Sequence, residues 1–234
     1  MSTFKEKMVE MRARLAAQPG RREHDRQTTR FLRDLNTPKW GYAIYRTVYT
    51  PKSDALFPLA LAKLDAYVHR EIDWDLYHDS LAAHTPEKAP YDPAPNREIR
   101  ERYENVVLED RERYDGASMD SIREYFRQWV EGQGKWVGDD PRFQICLVFD
   151  DAVVRELSDA PDPLPSNDTP PGVLIRVVDG KFMAPQCEDP SYAGWIKVSP
   201  NALMGLYGYV DQSELLLTVY ILKERDSESF LFTG

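Results

Sequence analysis

The chain is predicted to fold as an α+β sandwich: a mixed or antiparallel sheet of four to six strands with helices packed on it. Three observations predict this. Strand-like and helix-like segments follow one another as strand, helix, strand, helix, strand, strand, strand, helix. One run, Phe143–Phe149, is apolar on both faces, as a central buried strand is. Hydrophobic residues make up 42% of the 234 and aromatics 12%, enough for a real core. A ferredoxin-like arrangement is the first expectation and a cone-shaped, NTF2-like sheet closed by helices the second, in either case with a helical arm at the N-terminus.

Met8, Met11 and Leu15 recur at helical spacing, so 3–17 reads as a helix ended near Pro19-Gly20. Residues 1–36 are basic and set apart from a single domain over 37–234. Ten Lys/Arg against five Asp/Glu give residues 1–39 a net +5, which leaves −14 for the remainder of a chain whose total is −9. The arm reads as solvated, or as docked on an acidic partner or on its own acidic domain. Trp40–Tyr49, rich in aromatic and β-branched residues, is the first strand. Ser53 is the expected N-cap of a helix through about His69, with Leu56, Ala60, Leu64 and Tyr67 or Val68 inward. Pro58 is tolerable there only near the first turn.

Residues 70–97 read as irregular or weakly helical, with a proline-rich loop around Pro90, Pro93 and Pro95. Val106-Val107-Leu108 favours a short strand, and Tyr114-Asp115-Gly116 a turn. Ser118 caps the clearest helix, whose stripe is Ile122, Tyr125, Phe126, Trp129 and Val130 and whose end is near Gly132. Asp150-Asp151 ends the central strand and leads into a short helix over Ala152–Leu157. After a proline-rich connection at 159–172 come strands at Val173–Val178 and Gly194–Val198. Ser199-Pro200 starts a last helix that buries Leu203, Leu206, Tyr207 and Val210. Leu215–Leu222 is a further strand or a packed tail.

Several function classes drop out. A pI of about 5.1 argues against nucleic acid as a partner held by general electrostatics. No apolar run reaches the roughly 18–20 residues that span a bilayer, and the charged N-terminus lacks a secretory core, so no membrane partner is expected and the cytoplasm is the default location. Cys146 and Cys187 form neither a metal-like nor a disulfide framework. The GxGxxG, P-loop, GxSxG and HExxH patterns are all missing, so no cofactor is expected. His69, His78 and His84, interleaved with Asp73, Asp75 and Asp79, do not share one helical face, and no metal site is expected from them. Of the acidic pairs Glu109-Asp110, Asp139-Asp140 and Asp150-Asp151, the last is best placed for chemistry, though a cap serves it equally.

The sharpest clue is a basic trio on strands. Arg46 shares a strand face with Trp40, Tyr42, Ile44 and Val48; Arg176 with Leu174 and Val178; Lys197 with Trp195. A buried cation needs a carboxylate, water or an anionic ligand. If the three converge, Arg46, Arg176 and Lys197, walled by Tyr42, Trp40 and Trp195, form a patch for a small anionic or aromatic molecule. In a catalytic version, Asp150 or Tyr42 moves the proton.

WGYAIYRTVY, with RFQICLVFD and AGWIKVS, resembles a large set of uncharacterised proteins of filamentous fungi, over roughly residues 38–210. The resemblance implies a eukaryotic, intracellular protein with Trp40 and Arg46 as hallmark positions, and lends no activity. The leading expectation is therefore an intracellular ligand-binding or protein-interaction domain. A cofactor-independent isomerase, cyclase or lyase acting on a small anionic or aromatic metabolite, of the kind made in fungal secondary metabolism, is the rival. A homo-oligomer packed through an open aromatic sheet face is the third reading.

Overall fold

A computed structural model of the chain describes residues 26–77, 91–163, 172–183, 192–211 and 231–232. The expected helix at 3–17, the strand or tail at 215–222, His24, His78, His84 and Cys187 lie outside these. The elements in chain order are α1 (Gln27–Asp34), β1 (Ala43–Arg46), α2 (Pro51–Ile72), α3 (Ala94–Arg102), β2 (Val106–Leu108), α4 (Arg111–Tyr114), α5 (Met119–Gly132), β3 (Ile145–Phe149), α6 (Asp151–Asp159), β4 (Ile175–Asp179), β5 (Trp195–Val198), α7 (Leu203–Asp211) and β6 (Leu231–Phe232). Short 3-10 turns at Pro141–Phe143 and Pro200–Ala202 precede β3 and α7.

The six strands form one mixed sheet in the order β2-β1-β3-β4-β5-β6, with helices packed on it. β2, β1 and β3 run parallel, β4 is antiparallel to both neighbours, and β6 is parallel to β5. The α+β class and the strand number agree with expectation; the order differs from a ferredoxin-like one, and the sheet is open rather than a closed cone. The physical reason is that the connections β1–β2 and β2–β3 both contain helices. A helical crossover brings the next strand back parallel, whereas tight hairpins reverse it.

Each crossover covers its own face of the sheet. On the first face, Ala60, Leu64 and Val68 of α2, Val153, Val154 and Leu157 of α6, and Leu203, Leu206, Tyr207 and Val210 of α7 bury Ile44, Leu147, Phe149 and Val177. On the second, Ile122, Phe126 and Val130 of α5 bury Ala43, Tyr45, Cys146 and Val148. Alternation explains the division, since neighbouring residues of β1 and β3 enter different cores and all five residues of β3 are buried. Opposite faces are what right-handed crossovers running in opposite directions along a sheet require.

Local chemistry sets the helix ends. Thr50, rather than Ser53, caps α2: the Ser53 amide donates to Thr50 Oγ1 at 3.1 Å and the Thr50 amide donates to Ser53 Oγ at 2.8 Å, a reciprocal box. Pro58 lies inside α2, not near its start, and is exposed, so water can reach the Asp54 carbonyl it leaves unpaired. Ser118 caps α5 as expected. Ser199 precedes Pro200 as expected but makes no side-chain cap, and its buried hydroxyl has no partner among the described residues.

Residues 26–36 are not a solvated arm. Phe31 packs edge-on to Trp40 at 5.0 Å, and Arg26 is 3% exposed inside a polar knot. There its Nε donates to Asp75 Oδ2 at 2.9 Å, its Nη1 to the Asp92 carbonyl at 2.6 Å, and its Nη2 to Asn96 Oδ1. The charge contrast between arm and domain is thus spent, at least here, inside the chain. Among the described residues no helix is long and apolar enough to cross a membrane.

Candidate functional site

The basic trio does not converge. Tyr45, Val148, Arg176 and Lys197 stand abreast in one cross-strand row, so their side chains leave the second face of the sheet. Arg46 is one residue past Tyr45 and leaves the first face, its guanidinium 4.6 Å from the rings of Phe57 and Tyr49. The sheet itself separates Arg46 from the other two. Arg46 is also saturated: Nε donates to the Val48 carbonyl at 2.8 Å, Nη1 to Glu109 at 2.8 Å and Nη2 to Asp54. It ties the end of β1 to the loops after β2 and at the start of α2.

Arg176 and Lys197 do share a face with Trp195, 5.8 Å from the Arg176 guanidinium. Arg176 is paired with Asp150, whose carboxylate also accepts from the Val153 amide at 2.9 Å and so caps α6. Asp150 therefore has the cap role its position allowed. Replacing it by alanine removes the cap and the pair together and is expected to cost about 1–2 kcal/mol. The check is a lower urea midpoint at unchanged slope.

Trp40 and Tyr42 are core residues, both fully buried. The Trp40 indole donates to the Ile99 carbonyl at 2.8 Å, and the Tyr42 hydroxyl donates to the Leu203 carbonyl at 2.7 Å. Burial beside Tyr207 and Tyr103 pushes the Tyr42 hydroxyl well above its ordinary pKa, so it is a poor proton carrier. At the carboxyl ends of β1 and β3, where doubly wound sheets commonly bind ligands, backbone hydrogen bonds continue past both strands. The Thr47 amide donates to the Phe149 carbonyl at 3.0 Å, and the Gly116 amide donates to the Thr47 carbonyl at 3.0 Å.

A different place gathers binding chemistry. A cleft of about 650 Å³ opens beside the C-terminal end of α2; its lining includes His69, Arg70, Asp73, Trp74, Tyr77 and Arg100, together with Asp162 and Pro163. Its volume lies within the range of small-molecule sites. The α2 period brings Ala66, Arg70 and Asp73 to one side with His69. The helix ends at Asp73, and a single helical turn at 74–77 then presents Trp74 and Tyr77. α3 contributes Arg100, whose Nη2 donates to Asp73 and, at 3.4 Å, to the His69 carbonyl. Its Nε and Nη1 have no partner among the described residues, and its side chain is 41% exposed. The Arg70 guanidinium stacks 4.0 Å from the Trp74 ring.

Behind the cleft wall lies a polar relay. The Asn105 amide group donates to Asp65 Oδ1 at 3.3 Å and to the Tyr103 hydroxyl at 2.5 Å, while its own Oδ1 accepts from the Tyr42 amide at 3.0 Å. Asp65 precedes His69 by one turn, and the Tyr103 ring meets the His69 ring edge-on at 5.7 Å. Burial pushes the Asp65 carboxyl up from its ordinary range and the buried Tyr103 hydroxyl well up. Burial, then the Arg100 charge, push the His69 imidazole down, against the opposing pull of Asp65 and Asp73, which favours its neutral form.

His69 and Asp73 are legible in the sequence only as members of a poor metal pattern. The aspartate–histidine spacing of four on a helix, followed by two aromatics at its end, is the signal that was there to be read. Among the described residues no three His, Cys, Asp or Glu side chains gather closely enough to hold a metal ion. Comparison with models of protein families, with curated proteins and with solved structures finds no match to this chain.

Proposed function

We propose that the chain is an intracellular ligand-binding domain and that the cleft beside α2 takes a small aromatic anion. The observation that carries this reading is the pairing, in one cavity, of the aromatic side chains Trp74 and Tyr77 with the Nε and Nη1 donors of Arg100, which have no partner among the described residues. A planar ring lies against the aromatics, and a carboxylate accepts from the guanidinium. The lining balances two arginines against Asp73 and Asp162, a neutral spot on a protein of net charge −9. A neutral lining repels an anion less than the acidic remainder of the domain does. The acidic total keeps nucleic acid out of the reading, and the resemblance to filamentous-fungal proteins stays part of it without adding an activity.

Phenylpyruvate serves as a probe, since it joins a ring to a carboxylate. Calorimetric titration is expected to show binding that weakens at least tenfold, about 1.4 kcal/mol, in both Arg100→Met and Trp74→Ala. Equal affinity in all three proteins, or none in the wild type, sinks the reading. Native mass spectrometry of the protein from its host reports a retained small molecule and the copy number together; a stable dimer with an empty cleft would favour the homo-oligomer.

A further inference from the structure

We propose that His69 is a general base that moves a carbon-bound proton of an aryl 2-oxo acid held in this cleft, so that the domain catalyses keto–enol tautomerisation. The inference rests on the ligand-binding reading above and adds chemistry to it. His69 lines the cleft directly, and burial beside Arg100 holds its imidazole below the ordinary pKa, which favours the proton-accepting form. Charged groups face it from two elements: Asp65 and Asp73 from α2, Arg100 from α3. Asp65 is itself fixed from behind by Asn105 and Tyr103, so it acts as a positioning residue.

The step balances without a co-reactant. The C3–H bond breaks and its proton passes to the imidazole; the electron pair forms the C2=C3 double bond as the carbonyl pair moves onto oxygen. The Arg100 donors face the carboxylate and meet the negative charge as it grows on the enolate oxygen. The imidazolium then returns the proton to that oxygen, giving the enol and restoring the neutral base. Reversal gives the ketone.

The test follows exchange of the C3 protons of phenylpyruvate in deuterated buffer by proton NMR, alongside calorimetric binding. Wild-type protein is expected to speed exchange at least tenfold over buffer. His69→Asn and His69→Gln should both return it to the buffer rate while binding phenylpyruvate within about threefold of wild type. Asp65→Asn, which removes the negative charge that favours the imidazolium, should move the acidic limb of the pH–rate profile to lower pH; a purely structural role for Asp65 would leave that limb in place. Exchange at the buffer rate by a wild-type protein that does bind phenylpyruvate overturns the catalytic inference and leaves the binding reading standing. Wild-type exchange in both His69 variants overturns it as well, and failure to bind overturns both.

Discussion

Arg26→Met is expected to lower the stability of the domain by about 3–5 kcal/mol, the cost of removing one partner from a buried charge pair. The side chain of Arg26 is 1% exposed and that of Asp75 15%. Besides the guanidinium, Asp75 accepts from Thr28 Oγ1 at 2.5 Å and from Asn96 Nδ2 at 2.9 Å, and Asn96 Nδ2 also donates to the Ile72 carbonyl at 2.6 Å. Methionine fills part of the volume but leaves Asp75 charged and half-buried without the cation it faces, and removes the Arg26 donor from Asn96 Oδ1 and the Asp92 carbonyl. For a chain of this size the loss corresponds to a melting temperature lower by on the order of 10 °C.

The pH dependence gives a second readout of the same contact. Burial alone would raise the Asp75 pKa, but hydrogen bonds from Arg26, Thr28 and Asn96, with the Arg26 charge, hold it below the ordinary value. A carboxyl whose folded pKa is depressed contributes stability above its unfolded pKa, near 4, and loses it as pH falls through the folded value. Wild type and Arg26→Met should therefore differ most at neutral pH and approach each other below about pH 4. Denaturant midpoints of both proteins from pH 7 to pH 3 check this; a gap that stays constant would mean that Asp75 is not the group Arg26 serves.

Much of the fold was legible because local patterns and tertiary packing agree. α5 runs from its Ser118 cap to Gly132 as its apolar stripe requires, and β3 is buried on both sides as its composition demands. The alternation of strands and helices through β3 also announces parallel pairing, so the ferredoxin-like expectation gave too much weight to the later antiparallel strands. The basic trio failed for a different reason. Within each strand the face of Arg46, Arg176 or Lys197 was read correctly, but which faces coincide depends on register between strands. β1 and β3 are apolar on both sides, so alternation carries no label telling one core from the other. Arg26 belongs to the basic stretch 1–36, and a cation in such a run looks solvated until the carboxylate that buries it, 49 residues away, is known. The cleft likewise draws its wall from α2, its second cation from α3 and its rim from 162–163, segments that only the folded chain brings together.

Gly41→Ala tests how the opening strand supports that cleft. Gly41 has φ of +129°, a conformation side-chain-bearing residues rarely adopt. A Cβ there would clash with the backbone carbonyl of Glu104, 2.9 Å from its carbon, and stand 3.1 Å from Asn105 Oδ1. The obstacle is backbone, not a side chain that can swing away, and it is already held: the Glu104 amide donates to the Trp40 carbonyl at 2.8 Å and Arg142 donates to the Glu104 carbonyl at 2.5 Å. Backbone strain and overpacking together put the cost at roughly 3–5 kcal/mol. Gly132→Ala, at the end of α5 with nothing within 4 Å, should be neutral or stabilising by up to about 1 kcal/mol. The effect should also travel. Displacing Glu104 and Asn105 unhooks Asn105 from the Tyr42 amide and loosens its hold on Tyr103 and Asp65 behind His69. With the Asp65 carboxylate less firmly placed, the imidazolium loses a favourable neighbour, so the His69 proton resonances should titrate at lower pH than in wild type. A folded Gly41→Ala protein with an unchanged His69 titration would disconnect the first strand from the cleft wall and leave the glycine with a purely conformational role.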